Sequence, residues 1–589
     1  MDIRARCVRL PAIAATLFFT LTTASGAAAT SELLQTTSRH GDTENEAAGN
    51  HRDARISLSH TFGSNQTPFW LHSNRDGLIP LNSRSNLLLS GEYHATLLGS
   101  RDSAGRTERA ERAELAGRTG AGQGSGPGAG PDAGSYVENG YEPDAGYRQN
   151  AGYRLDGGFR LDARISDGYN RLGFGELYLH FRAYGWQLSA GRFHDTIGLG
   201  SDGPLTTGSM MVSRNALQPF RLRLSTPDFL PVPFTERVVW FKARWSESIT
   251  TDDRFVDRAR IHQKYLYLQV RPAEEWRLTA GIVHNLMWGG THPELGRLHG
   301  TFRKWLNDVF AQPDREVYDN VTPFGNGLGA YEIGAEYRGR SWSAGAYRMF
   351  YIEDGESLHL PNPWDGTWIA WLDLHDPARP RRLVRYLTYE HVNTKKQDAN
   401  PWSAIGRGRY YSHYVYRDGW VHHGQTLGTP LILIDPEKLV DRSRVLVNNI
   451  VLAHHLGVAG HLSDRFSYRL LATYSRNYGT CHDQTSGGGC NGTPEEPVHE
   501  REEYVPFREL RRDRYSFLFR LAFPVWQATD TAPVYPRAGN EQSSGQIPGQ
   551  NSGRNYGPGL HMHVSFAIDA GAFHSRPLFG VEAGVSLAL

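Results

Sequence analysis

Apolar and polar residues alternate strictly through long stretches of this chain, and the polar partners are charged. Between Tyr153 and Ser166, Leu155, Phe159, Leu161, Ala163 and Ile165 fall on one face. Arg154, Asp156, Arg160, Asp162 and Arg164 fall on the other. A period of two is the side-chain period of a β-strand. A soluble sandwich gives this pattern in short strands. Here it recurs in long ones, as expected where one face meets lipid and the other a polar lumen.

The same pattern, bounded by turn residues, predicts about 18 strands: 55–62, 86–98, 153–166, 173–183, 186–193, 219–225, 237–245, 264–271 and 276–286, then 330–338, 341–351, 366–374, 383–393, 446–456, 466–477, 514–525, 559–572 and 578–589. The links between them sort by length. With the C-terminus on the periplasmic side, the tight links 184–185, 272–275, 339–340 and 457–465 fall on that side. The long links 288–329, 394–445 and 478–513 fall outside, as transmembrane barrels require. Two links break the rule, 99–152 and 526–558. Both are rich in Gly, Pro and small polar residues, and the first reads as a largely disordered insertion. The last strand carries Phe579, Val581, Ala583, Val585, Leu587 and Leu589 on one face. A chain ending in an amphipathic strand suits barrel closure, since an open edge would be left unpaired. The expected fold is therefore all-β: a transmembrane β-barrel of about 18 antiparallel strands over 55–589, preceded by a flexible segment, 30–54.

The first residues fit this location. Arg4, Arg6 and Arg9 precede the apolar run Leu10–Leu21, and Ala27-Ala28-Ala29 offers a cleavage site, so 1–29 reads as a secretory signal. The apolar run falls short of the roughly 20 residues that span a bilayer. Mean hydropathy is −0.51, a soluble-looking value that barrels share because half of each strand faces water. The formal charge is +1; removing the signal, with three arginines and one aspartate, leaves the mature chain near −1. That balance excludes a basic nucleic-acid-binding protein. Cys481 and Cys490 bracket a glycine run and are expected to form a local disulfide in an exported protein, adding about 2–3 kcal/mol by chain entropy.

The lumen face carries Arg154, Arg160, Arg164, Glu176, His180, Arg182, Glu332, Glu336, Arg338, His561, His563 and Asp569. Mixed signs point to a plugged lumen laced with ion pairs rather than a conduit for anions. The outer loops are dense in aromatics beside polar groups. Trp364 and Trp368 lie in one; Trp402, Tyr410, Tyr411, Tyr414, Tyr416, Arg417, Asp418 and Trp420 lie in another. Sugar rings pack CH faces on flat aromatics, and their hydroxyls need forked donors and acceptors, so these ten are the candidate polysaccharide-binding residues. An aromatic girdle at the membrane interface would use the same residue types. No metal site, cofactor or catalytic residue is expected: the chain has no His-Glu-x-x-His, Gly-x-Ser-x-Gly or Walker loop, and neighbouring histidines such as His454-His455 point to opposite faces of a strand.

Several stretches resemble a known family: PFWLHSNRDGLIP at 68–80, LTTGSMMVSRNALQPFRLRLSTPDFLPVPFT at 205–235, HQKYLYLQV at 262–270, FYIEDGESL at 350–358, YRDGWVHHGQTLGTPLI at 416–432, NNIVLAHHLGVAG at 448–460 and YSRNYGT at 474–480. They are similar to the capsule assembly Wzi family of outer-membrane proteins, in the form seen in Bacteroidetes-like bacteria. The resemblance implies an 18-stranded barrel in the outer membrane of a Gram-negative bacterium. It also implies a non-catalytic, lectin-like role: attaching capsular or other surface polysaccharide to the cell. The expected partners are that polysaccharide and outer-membrane lipid, with a monomeric barrel. The main alternative is a substrate-selective porin for sugars or anions; a barrel enzyme acting on surface glycan is a third.

Overall fold

The computed structural model describes residues 52–99, 152–167, 170–298, 305, 325–353, 360, 363–376, 381–395, 397, 410–413, 415–435, 445–480, 511–527 and 558–589. The signal segment, the interior of the 99–152 insertion, Trp402, Tyr414 and both cysteines lie outside these residues, so the disulfide and the insertion remain expectations. Residues Arg52–Leu589 form one compact unit.

Eighteen strands build it. They are β1 (Arg52–Gly63), β2 (Ser85–Gly99), β3 (Tyr153–Ser166), β4 (Arg171–Ala183), β5 (Trp186–Arg192), β6 (Phe220–Ser225), β7 (Val239–Ile249), β8 (Arg260–Ala273) and β9 (Trp276–Trp288). Then come β10 (Asn326–Arg338), β11 (Ser343–Ile352), β12 (Gly366–Asp373), β13 (Tyr386–Asn393), β14 (Val451–His461), β15 (Ser467–Asn477), β16 (Arg512–Gln527), β17 (Gly559–Ala570) and β18 (Leu578–Ala588). Each pairs antiparallel with its neighbour in sequence, and β1 also pairs with β18, Leu58 opposite Val585 and Phe62 opposite Val581. That last pairing closes the barrel and removes every sheet edge. A two-residue bridge, Leu230–Pro231, adds to the side of β7.

The two faces of the wall behave as lipid and lumen faces should. On β3, Ile165 is 61% exposed and Asp162 4%; apolar side chains point out and charged ones in, the reverse of a soluble protein. The outward apolar band continues on β4, but its phase slips. Leu172 and Phe174 are exposed before the slip, and Leu177, Leu179 and Phe181 after it. The cause is an extra residue at the irregularity where Arg160 faces Glu176 and Leu161 faces Phe174. The residue inserted is Gly175, where a Cβ would collide with the inward side chains of Arg160 and Asp162; a glycine bulge resets the alternation and makes room for that ion pair.

Every sequence-predicted strand has a counterpart. The one displaced is 446–456: the strand runs instead over Val451–His461. Leu446–Asn448 forms a separate pair with Leu433–Ile434. The connections sort onto two ends as expected. The short turns 184–185, 274–275, 339–342 and 462–466 lie at the end carrying Leu589, from which the links after β2 and β16 also leave; the links after β1, β5, β9, β13 and β15 leave from the other end, as does the short one from β17 to β18. No described helix is long and apolar enough to cross a membrane.

Candidate functional site

Three of the segments at the loop end turn back into the barrel. Residues 193–219 go deepest. This stretch is too apolar for a water-exposed loop, and Ile197, Leu199, Leu205, Met210, Met211, Val212, Ala216 and Leu217 are all buried. It leaves the wall between β5 and β6 and crosses to the opposite side. There the Leu199 N–H donates to Glu332 on β10 (2.8 Å) and the Thr207 N–H to Glu390 on β13 (2.7 Å). On β14, His455 donates from Nε2 to the Leu205 carbonyl (3.0 Å), and Arg469 on β15 donates to the Pro204 carbonyl. Gly457, beside them, has no Cβ because one would strike the Leu205 backbone. Inward carboxylates thus stand where backbone N–H groups of the crossing segment need acceptors.

Residues 64–84 form the second inward segment. Its one-turn helix, Phe69–His72, is wholly buried. The Phe69 N–H donates to Asp569 on β17 (2.8 Å), and the Trp70 indole donates to Thr473 on β15 (3.2 Å). Arg75 and Arg520 both meet Glu582 of β18 at 2.7 Å. One residue on, Asp76 accepts from Arg160 (3.0 Å) and Arg214 (2.9 Å), with His194 at 3.4 Å. It thereby ties the first inward segment to the second and to the wall. The two arginines hold the Asp76 carboxyl well below the usual carboxylate range, although burial alone would raise it. Asn74, Asp76 and Gly77 all have positive φ, which brings the Gly77 Cα against the Leu217 backbone. Asn, Asp and Gly are the residues that tolerate this conformation.

The third segment, 410–435, locks onto the other two. The Tyr411 hydroxyl donates to the Met210 carbonyl (2.5 Å), Ser213 donates to the Gly428 carbonyl (2.6 Å), and Asn215 donates to Thr426. His422 donates from Nδ1 to the Leu217 carbonyl (2.6 Å), and Gln425 donates to the Ile79 carbonyl (2.7 Å). Burial pushes the His422 pKa down to about 3, so the ring stays neutral at any physiological pH. A Cβ at Gly428 would collide with the Tyr411 hydroxyl and the Met210 carbonyl. Gly428→Ala should therefore lower the unfolding free energy by roughly 1–3 kcal/mol, the usual cost of overpacking, read as an earlier midpoint in urea.

The candidate sugar-contact residues divide accordingly. Tyr410, Tyr411, Tyr416 and Trp420 are each 1% exposed and belong to the apolar interior. The Tyr410 hydroxyl donates to Asp365 and the Tyr416 hydroxyl to the Gly289 carbonyl. Asp418 is buried too; it accepts from the Phe255 N–H (2.6 Å), and burial raises its carboxyl despite nearby Arg254. These five do not face outward, where a polymer would stack; the aromatic surface of the four rings is spent on packing. Trp368 is exposed, but on the outer wall of β12, where it alternates with inward Thr367 and Ile369. The Arg348 guanidinium sits 5.0 Å from its ring. That is girdle geometry. Trp364 at the loop end is 71% exposed. Arg417 is half-buried, with its guanidinium 4.2 Å from the Phe255 ring. Sequence reasoning missed the inward course of 193–219 and 410–435. The available signal was their apolar content, with Met210-Met211-Val212 and Thr429–Ile434 the clearest cases. Among the described residues no group of His, Cys, Asp or Glu could hold a metal ion.

The family model for capsule assembly protein Wzi matches residues 121–431. The chain belongs to the capsule assembly Wzi family. The matched span takes in the wall from β3 to β13 together with residues 193–219 and most of 410–435. Its barrel is an outer-membrane barrel. Membership agrees with the expectation of a non-enzymatic protein. Among solved structures the chain is similar to Wzi of Escherichia coli, described as an outer-membrane protein involved in group 1 capsule assembly and a carbohydrate-binding β-barrel. Identity is 12%, the TM-score is 0.46, and 90% of this chain and 84% of that one are covered. It is also similar to OccK5 (OpdH) of Pseudomonas aeruginosa at 8% identity and TM-score 0.39, covering 92% and 98%. OccAB4 of Acinetobacter baumannii matches at 6% and 0.38, covering 93% and 100%. A comparison with curated proteins found no match.

Proposed function

We propose that this family member is a non-catalytic, lectin-like barrel that binds capsular or other surface polysaccharide and attaches it to the cell. Membership in the capsule-assembly family carries this reading. The plug supports it against the porin alternative. Segments 64–84, 193–219 and 410–435 are bonded to one another and to strands on opposite walls, which suits a rigid binding platform better than a wide conduit. Polysaccharide contacts then belong to groups left exposed on the outer side, with Trp364 and Arg417 the sequence candidates that keep free surface there. The buried tyrosines and Trp420 support them from beneath.

Deletion of the gene should shed surface polysaccharide into the medium, and the wild-type chain should restore retention. Trp364→Ala should lower affinity for that polysaccharide by about tenfold, a typical anchor loss, with the urea midpoint unchanged because the side chain packs on little. In planar bilayers the purified barrel should show no large steady conductance. Full retention of polysaccharide in the deletion strain, together with steady porin-like currents, would overturn the proposal.

A further inference from the structure

Buried charge in this barrel is mostly balanced. Arg160, for example, meets three carboxylates, Asp76, Asp162 and Glu176. The surroundings of Asp195 are not balanced. Asp195, just beyond β5, accepts from three guanidiniums at a single oxygen: Arg221 at 2.9 Å, Arg223 at 3.0 Å and Arg244 at 2.5 Å. Three cations face one carboxylate, an excess of two positive charges. Arg221 and Arg244 have side chains 0% and 1% exposed. The Nε atoms of all three arginines are buried without a hydrogen-bond partner, and so is the hydroxyl of Ser246 on β7. The remaining contacts are to neutral groups. Arg221 donates to Gln218, Arg223 to Ser189 and Arg244 to Gln263, and the Phe193 ring lies against Arg221 and Arg223. Towards the outer rim, Arg192 donates to the Phe174 carbonyl and to Thr251, whose hydroxyl also meets exposed His423. The next carboxylate up, Asp252, faces Arg254.

Like charges brought together out of water repel, and desolvation adds to the cost, unless an anion joins them. Buried donors without acceptors call for a partner. Planar guanidiniums are also the side chains that best recognise oxyanions through paired N–H donors. We propose that the Arg221–Arg223–Arg244 cluster is a site for an oxyanion carried on a sugar, the carboxylate of a uronic acid or an ester sulfate. The site makes the protein selective for acidic surface polysaccharide. The sugar carrier rests on the polysaccharide-binding function proposed above; the oxyanion site does not. Arg223 and Asp195 keep 13% and 11% of their side-chain surface, and they form the edge at which the anion enters. Asp195 holds the arginines in place and competes with the ligand for them.

The competition gives opposite signs for two substitutions. Titration calorimetry on the detergent-purified full chain would use a glucuronate trisaccharide, a sulfated one and a neutral one. Acidic oligosaccharides should bind more tightly than neutral ones and weaken as salt rises. Arg223→Gln should cost about tenfold or more for the acidic ligands, the worth of a charge-assisted bond, while Arg223→Lys should cost less. Asp195→Asn should tighten binding of the acidic ligands, which a merely structural role would not do. Heat-modifiable migration in gels identifies variants that have folded, and if Asp195→Asn fails to fold, the Gln and Lys variants decide. Equal binding of acidic and neutral ligands, unchanged by the Arg223 variants, would overturn the site while leaving polysaccharide binding intact. If no trisaccharide binds but free glucuronate or sulfate does, with the same variant pattern, the oxyanion site stands and the polysaccharide function fails.

Discussion

Asp76→Asn will loosen the plug without altering its backbone. Asparagine tolerates the positive φ at this position as well as aspartate does, so the substitution removes charge and little else. Arg160 keeps Asp162 and Glu176, and Arg214 has a side chain that is 46% exposed and can turn to water. The loss should therefore fall at the lower end of that for breaking a buried pair, about 3 kcal/mol. The sign with pH follows from the same contacts. A carboxyl held below its ordinary range contributes stability that is fully present above about pH 4, its unfolded value. That stability is lost as pH falls through the depressed folded value. Urea unfolding in detergent should show the wild type and Asp76→Asn far apart at pH 7 and drawing together under strongly acidic conditions. A gap that persists undiminished in strong acid would place the effect elsewhere than in the Asp76 charge.

Trp420→Ala should be as damaging, for a different reason. The side chain is 1% exposed within the apolar interior, and its backbone is tied to Tyr411 and Leu427. Emptying such a site costs about 3–5 kcal/mol. The sequence alone suggested that this tryptophan stacks on sugar, so its loss would weaken binding and spare the barrel. Burial reverses that expectation: the urea midpoint should fall first, with polysaccharide binding lost as a consequence of a disordered plug. A stable Trp420→Ala barrel with weakened binding would return the residue to the sugar-contact set.

The wall of this barrel was readable from sequence because lipid outside and charge inside impose the strict period of two seen in β3 and β18. The glycine bulge in β4 shifts the phase but leaves both halves legible. The strand displaced to Val451–His461 was harder, since apolar Leu446 and Val447 extend the pattern upstream yet belong to a short strand, Leu446–Asn448, that pairs with Leu433–Ile434 instead. The site was the least legible part. Tyr411, Tyr416 and Trp420 look the same in sequence whether they face a polymer or the lumen. Only the partners supplied by distant segments, such as the Met210 and Gly289 carbonyls, decide between the two. The Asp195 cluster is likewise invisible in sequence, because Arg221, Arg223 and Arg244 come from two strands and meet an aspartate from a loop.

The most direct test is binding of the producing organism's own purified surface polysaccharide to the purified full-length barrel, immobilised in lipid nanodiscs and read by surface plasmon resonance. Saturable binding that is weakened by Trp364→Ala and absent from empty nanodiscs is the predicted result; no binding above empty nanodiscs by a heat-modifiable, correctly folded barrel would contradict it.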